Sequence, residues 1–243
     1  MATETFALLL IAHLLGDFTL QTEFMAMNKK RLGVLALHVL IITMLSMLAI
    51  GQFDWKLLGT LALTHFLIDF IKARNNGSNL TWFVADQSAH VAVLVAVSIL
   101  FPIDVSQSLH LGLLDPVSRN AIFQLIIHAT GLILCVTVGA YVTGLAVKPF
   151  TDEIGTALNG LKNGGRIIGQ LERFMVFIFT LTGNPTGIGF LIAAKSILRF
   201  GDITNPAQRK IAEYVIVGSL ISFAWAITVS QLTILASKHI NAG

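Results

Sequence analysis

Apolar runs long enough to cross a bilayer recur along the whole chain. They lie at about 5–23, 33–50, 56–72, 82–101, 121–147, 166–183, 186–200 and 211–236. A helix that spans the hydrocarbon needs about 20 mostly apolar residues. The pattern therefore predicts an all-α fold, a polytopic membrane helix bundle of seven or eight transmembrane helices. The count is left at two values because the runs 166–183 and 186–200 are joined by the tight turn Gly183-Asn184-Pro185 and the second run is short. A helical hairpin that does not fully cross is the alternative. The expected division is a four-helix unit, residues 1–101, followed by a second helical unit, residues 102–243.

The connections between runs have patterns of their own. Phe150, Ile154, Leu158 and Leu161 recur at helical spacing among polar residues. They suit either a short helix lying on the membrane surface or an ordinary amphipathic connector. The loop from Pro102 to Asn120 carries Leu109, Leu111, Leu113 and Leu114 and is expected to rest on the membrane. Asn163-Gly164-Gly165-Arg166 opens the sixth run with backbone N–H groups that can meet an anion, but it is not a P-loop.

Composition agrees with the spans. Hydrophobic residues make up 55% of the 243 positions and charged residues 12%, half of the roughly 25% usual in soluble domains. The mean hydropathy is +0.79. Eight crossings leave little chain for a large soluble catalytic domain, so any chemistry belongs inside the bundle or at its rim. The net charge of +3 is too small and too confined to loops for a nucleic-acid binder. Cys135 is the single cysteine, which excludes a disulfide framework and a cysteine-based metal site. The first run lacks a basic leader and carries Glu4 and Asp17, so it reads as a span and not as a cleaved signal.

Loop cations set the expected orientation. Lys29, Lys30 and Arg31 follow the first run, Lys72 and Arg74 the third, Lys148 and Lys162 the fifth, and Arg199, Arg209 and Lys210 the seventh. The opposite side holds only Lys56, Arg119 and Lys238. By the positive-inside rule the first set is cytoplasmic, and with eight spans both termini face outward.

Polar residues within the spans carry the chemistry. The first run holds His13, Asp17 and Gln21 at i, i+4 and i+8, one helix face. The second holds His38. The third holds His65 and Asp69 four apart, with Lys72 near one turn on, and the fourth holds Asp86, Gln87 and His90. Counted from the cytoplasmic ends at about 1.5 Å per residue, all seven His and Asp groups fall within roughly 16 Å of that side. Helices running in alternating directions would not agree in this way by chance.

A carboxylate at such depth is costly unless it is paired, hydrated or bound to a cation. His13, Asp17, His38, His65, Asp69, Asp86 and His90 are thus candidate metal ligands. Mixed nitrogen and oxygen donors suit Zn, Mn or Fe as a divalent metal, one or two ions, better than Ca or Mg. A hydrogen-bonded structural lock, or imidazolium ions balancing the acids, are the readings without metal.

In the second half the set is mainly basic: Arg166, Glu172 and Arg173 in the sixth run, Lys195 and Arg199 in the seventh, Glu213 in the eighth. It reads as an anion-binding rim, or as side chains reaching lipid phosphate, with an internal Glu–Arg network including Glu213.

The strings His13-Leu-Leu-Gly-Asp17-Phe-Thr-Leu-Gln21, Thr64-His65-Phe-Leu-Ile-Asp69 and Asp86-Gln87-Ser-Ala-His90 resemble the membrane family called domain of unknown function 3307. The string from Gly187 through Lys195 to Arg199-Phe200 is similar to the C-terminal part of its longer members. That resemblance implies a multi-pass protein of the bacterial inner membrane and no established activity. A looser similarity links the first spans to bacterial inner-membrane metal-dependent hydrolases.

The leading expectation is a metal-dependent hydrolase acting on a phosphate-bearing or lipid substrate at the cytoplasmic leaflet. Its catalytic candidates are Asp17 and Asp86, as a carboxylate base, and Gln21 and Gln87, which orient the substrate. Lys72, Arg166, Lys195 and Arg199 are the substrate-binding candidates that attract its charge. A cation or proton transporter using the same cluster, and a non-catalytic membrane scaffold, are the alternatives. The expected partners are the lipid bilayer and that substrate, with no nucleic acid and with an oligomer left open.

Overall fold

The computed structural model describes residues 1–75, 79–154, 163–197 and 206–242. Among them the chain is all helix and turn. Helix α1 (Ala2–Leu14) continues into a π turn (Leu15–Thr19), and the short α2 (Glu23–Asn28) follows. Then come α3 (Leu32–Ile50), α4 (Trp55–Arg74) and α5 (Leu80–Leu100). Helix α6 (Pro116–Leu132) passes through a second π turn (Ile133–Val138) into α7 (Gly139–Ile154). Helices α8 (Gly164–Leu181), α9 (Pro185–Ile197) and α10 (Pro206–Ala242) complete the chain. Among the described residues five stretches are long and apolar enough to cross a membrane: Ala2–Thr19, Leu32–Ile50, Leu80–Leu100, Pro116–Thr151 and Lys210–Ile240. Helix α4 is long enough, but it holds His65, Asp69, Lys72 and Arg74. Helix α9 has 13 residues, about 20 Å of rise against a hydrocarbon core of about 30 Å.

The chain divides into two compact units, Met1–Thr130 with His239–Gly243, and Gly131–Lys238. In the first, α1 packs on α3 and α5, α3 on α4, and α4 on α5, closing a four-helix ring. Side-chain caps fix where the helices begin. Asp54 accepts from the Lys56 and Leu57 amides, Asn79 from Trp82, and Thr22 from Met25. Helix α3 stops at Gly51, whose φ of 66° is left-handed and favours glycine. Gly16 lies in the first π turn, where a Cβ would collide with the Ile42 side chain of α3. The absence of a side chain there lets the two helices approach.

This unit is sorted by depth. Leu8, Leu9, Ile50, Leu57, Leu58, Leu61, Leu94 and Val97 form a dry core in one half. The histidines and aspartates are buried in the other. Outward-facing positions are apolar instead: Leu37, Leu40, Met44 and Leu48 of α3, Leu63, Leu67 and Ile71 of α4, and Val91, Val95 and Ile99 of α5 are all exposed. Apolar outside with ionisable groups inside is the reverse of a soluble globule and is compatible with lipid contact.

The Pro102–Asn120 connection differs from a loop that merely rests on a surface. Ile103, Val105 and Leu111 turn inward and join the dry core, while Leu109 and Leu113 stay exposed. The Ile103 amide donates to Thr5 Oγ1 at 2.9 Å, and the Leu109 amide donates to the Gly51 carbonyl at 2.8 Å. The Arg119 guanidinium donates to the Leu111 and Leu114 carbonyls. Asp104, half-buried, and Asp115, exposed, sit at the turns. Hydrogen bonds from Ser106 and Ser118 hold their carboxyls below the usual range, so both stay ionised there.

In the second unit Phe150 to Ile154, at the start of the segment that suits either a surface helix or a connector, continue α7. Helix α7 runs unbroken through Pro149 to Ile154, because a run that has already begun as helix needs no new nucleus to extend. Leu158 and Leu161 lie outside the described residues. Helices α8 and α9 form a hairpin turned by Gly183 at φ 66°, with Asn184 Oδ1 accepting from the Gly187 amide at 3.0 Å. Glu172 pairs with Lys195 at 2.5 Å, not with its neighbour Arg173. Adjacent helical residues point about 100° apart, so the two side chains diverge. The second π turn receives two side-chain donors on its carbonyls: Trp225 Nε1 on Leu134 (3.0 Å) and Arg173 Nη2 on Val136 (3.3 Å).

Gly16→Ala is expected to lower stability by about 1–3 kcal/mol through overpacking against Ile42. The double variant with Ile42→Ala should recover part of that loss. Thermal unfolding in detergent measures both.

Candidate metal centre

Four helices each send one polar face into the ring. Asp17 sits in the π turn of α1, one turn after His13, and π turns frequently occur at functional sites. His38 comes from α3, His65 and Asp69 from α4, Asp86 and His90 from α5. All seven are buried; His38 and Asp69 are 0% exposed, and Asp17, the most open, 9%.

The four imidazoles form one contiguous group. Ring centroids are 4.4 Å apart for His65–His90, 5.0 Å for His13–His90, 5.4 Å for His38–His65 and 5.7 Å for His13–His65. Asp17 Oδ1 lies 3.1 Å from His38 Nε2 and 3.6 Å from His65 Nε2. Asp69 Oδ2 lies 3.4 Å and 3.7 Å from the same two nitrogens. Three overlapping trios have donor atoms close enough to hold an ion: Asp17–His65–His90, His38–His65–Asp69 and Asp69–Asp86–His90.

Hydrogen bonds around the rings leave particular atoms open. His90 Nδ1 lies 2.9 Å from the Asp86 carbonyl oxygen, which can only accept, so the proton is on Nδ1 and the lone pair on Nε2. His90 Nε2 has no hydrogen-bond partner among the described residues, and neither have Asp69 Oδ1 and Asp86 Oδ1. His90 Nε2 and Asp69 Oδ1 are 3.9 Å apart. On the other side, Gln87 Nε2 donates to Asp86 Oδ2 at 2.9 Å, which turns Gln87 Oε1 toward His13 Nε2 at 3.4 Å. That leaves His13 Nδ1 unpartnered, 3.9 Å from Asp17 Oδ2. Buried acceptors without donors are what a cation satisfies, so the donor set fits a bound divalent metal.

Two lysines enter the cluster. Lys29 Nζ, on a side chain 12% exposed, donates to Asp69 Oδ2 at 2.7 Å. Lys72 Nζ donates to Asp86 Oδ2, on a side chain 40% exposed. Gln21, with its amide oxygen turned toward Lys29, accepts from Nζ at 2.7 Å and donates to the Asp17 carbonyl at 3.3 Å. Three carboxylates and two ammonium groups leave one formal negative charge before the imidazoles are considered.

Of the residues expected at the site, the ring brings together His13, Asp17, His38, His65, Asp69, Asp86, His90 and Gln87, with Gln21 held beside Asp17 by way of Lys29. Lys72 is engaged with Asp86. Arg166 and Lys195 belong to the second unit, where they line a cavity with Glu172 and Arg173. Arg199 lies outside the described residues. Lys29 is a partner of the site that the sequence does not single out. It stands in a basic loop, where charge reads as an orientation signal, and its one sequence hint is that α2 is short enough to fold back on the ring.

Residues 5–113 match the family model described as "Protein of unknown function (DUF3307)". Over this segment the chain is similar to the DUF3307 family. The DUF3307 match takes in every histidine and aspartate of the centre and both lysines that pair with it. It does not reach the cavity of the second unit. No curated protein and no solved structure matches the chain.

Lys29→Met leaves Asp69 buried without its ammonium partner. In metal-free protein it should cost about 3–5 kcal/mol, and the double variant Lys29→Met/Asp69→Asn should recover most of the loss. Melting temperatures of the three proteins after chelation test the pairing.

Proposed function

We propose that the ring of α1, α3, α4 and α5 is a membrane-embedded divalent-cation centre, and that it serves hydrolysis of a phosphate-bearing or lipid substrate from one face of the membrane. The observation that carries the reading is the convergence of Asp69 Oδ1, Asp86 Oδ1 and His90 Nε2, three buried and unpartnered acceptors on two helices. His38, His65 and Asp17 offer further donors in overlapping trios, enough for a second ion. The bound metal, Zn, Mn or Fe, supplies Lewis-acid activation of water and of a phosphoryl or acyl oxygen.

The chain's own residues divide the remaining work. Asp17 takes the role of general base, and Gln87 holds His13 in one tautomer through its hydrogen bond. Lys72 is the most exposed group touching the cluster. It marks where substrate charge would arrive, exchanging Asp86 for the incoming anion. Seven or eight crossings, read from the apolar runs, an inner-membrane location, and a cytoplasmic position for the cluster, read from the loop charges, belong to the same proposal.

A cation or proton pathway is the second reading. The dry half of the ring counts against it, because Leu8, Leu9, Leu57, Leu58, Leu61, Leu94 and Val97 fill the interior beyond the histidines. Among the buried hydroxyls there, Thr5, Ser46 and Ser98 donate to carbonyls at their own helices.

Protein purified without chelator should contain at least one equivalent of Zn, Mn or Fe by elemental analysis. Asp69→Asn and His65→Ala should each lower metal retention roughly tenfold or more. Absence of stoichiometric metal from a folded wild-type preparation would remove the basis of the reading. Separately, proteoliposomes should show no metal or proton flux above that of His65→Ala; a flux lost in that variant would favour the pathway.

A further inference from the structure

The second unit has a cavity of about 400 Å³ between α7, α8, α9 and α10. Arg166, Arg173 and Lys195 line it, with Glu172 as the carboxylate among the lining residues. Lys195 takes up that carboxylate. The excess of positive charge therefore rests on Arg166, which is exposed, and on Arg173, which is 2% exposed.

Arg173 is held but not neutralised. Its Nη1 donates to Ser222 Oγ at 2.9 Å and its Nη2 to the Val136 carbonyl at 3.3 Å. Its Nε is buried without a partner, and no carboxylate pairs with the guanidinium among the described residues. Thr143 Oγ1, from a residue on the same lining, is also buried and unpartnered. A desolvated guanidinium without a counter-ion is costly. The space beside it is kept open by small residues: Cβ atoms added at Gly144 and Gly165 would meet nothing within 4 Å.

We propose that this cavity binds an anionic headgroup, a phosphate or a carboxylate, with Arg173 as the buried anchor and Arg166 at the exposed edge. A guanidinium presents planar paired donors that match either oxyanion. The rest of the lining, including Ala140, Val147, Ile168 and Val215, is apolar, so an anion carrying a hydrocarbon tail is accommodated as well as a free one. The site uses no residue of the histidine–aspartate ring and does not depend on its metal.

The test uses the full chain in detergent after chelation and removal of the chelator, so that the ring contributes no metal-bound anion. Melting temperature is followed against inorganic phosphate, with chloride as control, and against phosphatidic acid in phosphatidylcholine micelles, with phosphatidylcholine alone as control. A rise with phosphate identifies a free-anion site, and a rise with phosphatidic acid alone identifies a lipid headgroup site. Either supports the proposal if Arg173→Gln and the cavity-filling Gly144→Leu weaken the apparent affinity about tenfold or more. Arg166→Gln, altered at an exposed side chain, carries the comparison should Arg173→Gln fail to fold. No rise with either anion, or the wild-type response in the variants, overturns it.

Discussion

Three carboxylates share the interior of a helix ring whose outside is hydrocarbon-like, and the rest of the first unit follows from that. Asp17, Asp69 and Asp86 are withdrawn from water, and a buried carboxylate without donors is one of the costliest things a fold can contain. Every neighbouring element contributes to offsetting it. Histidines arrive on the same stripes as the acids, one turn away. Lys29 reaches in from the end of α2 and Lys72 from the last turn of α4. The mutual register of α1, α3, α4 and α5 is constrained accordingly, since sliding one helix by a turn would move its acid by about 5.4 Å and strand it among apolar side chains.

The two ends of the ring are chemically unlike. One is aliphatic and dry, closed further by Ile103, Val105 and Leu111 from the connection after α5. The other concentrates the buried ionisable groups and meets solvent through Lys72. A closed end beneath a polar one counts against a conduit and supports the one-sided chemistry proposed above. The second unit inverts the electrostatics. Beside the paired Glu172 and Lys195 it buries a guanidinium, that of Arg173, held by a hydroxyl and a backbone carbonyl.

What could be read from residues alone was whatever repeats at helical spacing. His13 and Asp17, His65 and Asp69, Asp86 and His90 stand four apart, so one helix face suffices to find them, and the agreement in depth joins the faces. The helix runs were equally legible from apolar length. Features that depend on a side chain reaching across space were not. Lys29 looks like its neighbours Lys30 and Arg31 until α2 brings it back to Asp69. Leu111 looks like Leu109 and Leu113, yet it alone of the three packs inward. Glu172 has Arg166 and Arg173 nearby in sequence, yet the cation it takes, Lys195, is 23 residues away, across the α8–α9 hairpin. Tautomers and open lone pairs depend on which acceptor each ring meets, which no spacing rule contains.

The π turn at Leu15–Thr19 has a geometric meaning beyond carrying Asp17. A helix that takes up one residue beyond its α repeat turns everything downstream by about 100°. Upstream of that point α1 presents Leu8, Leu9 and Ala12 to its neighbours; at and beyond it the chain must present Asp17, steer Gln21 toward Lys29 and then leave the ring. The extra residue acts as a phase shifter, letting one continuous rod show an oily face to one half of the ring and an acid to the other.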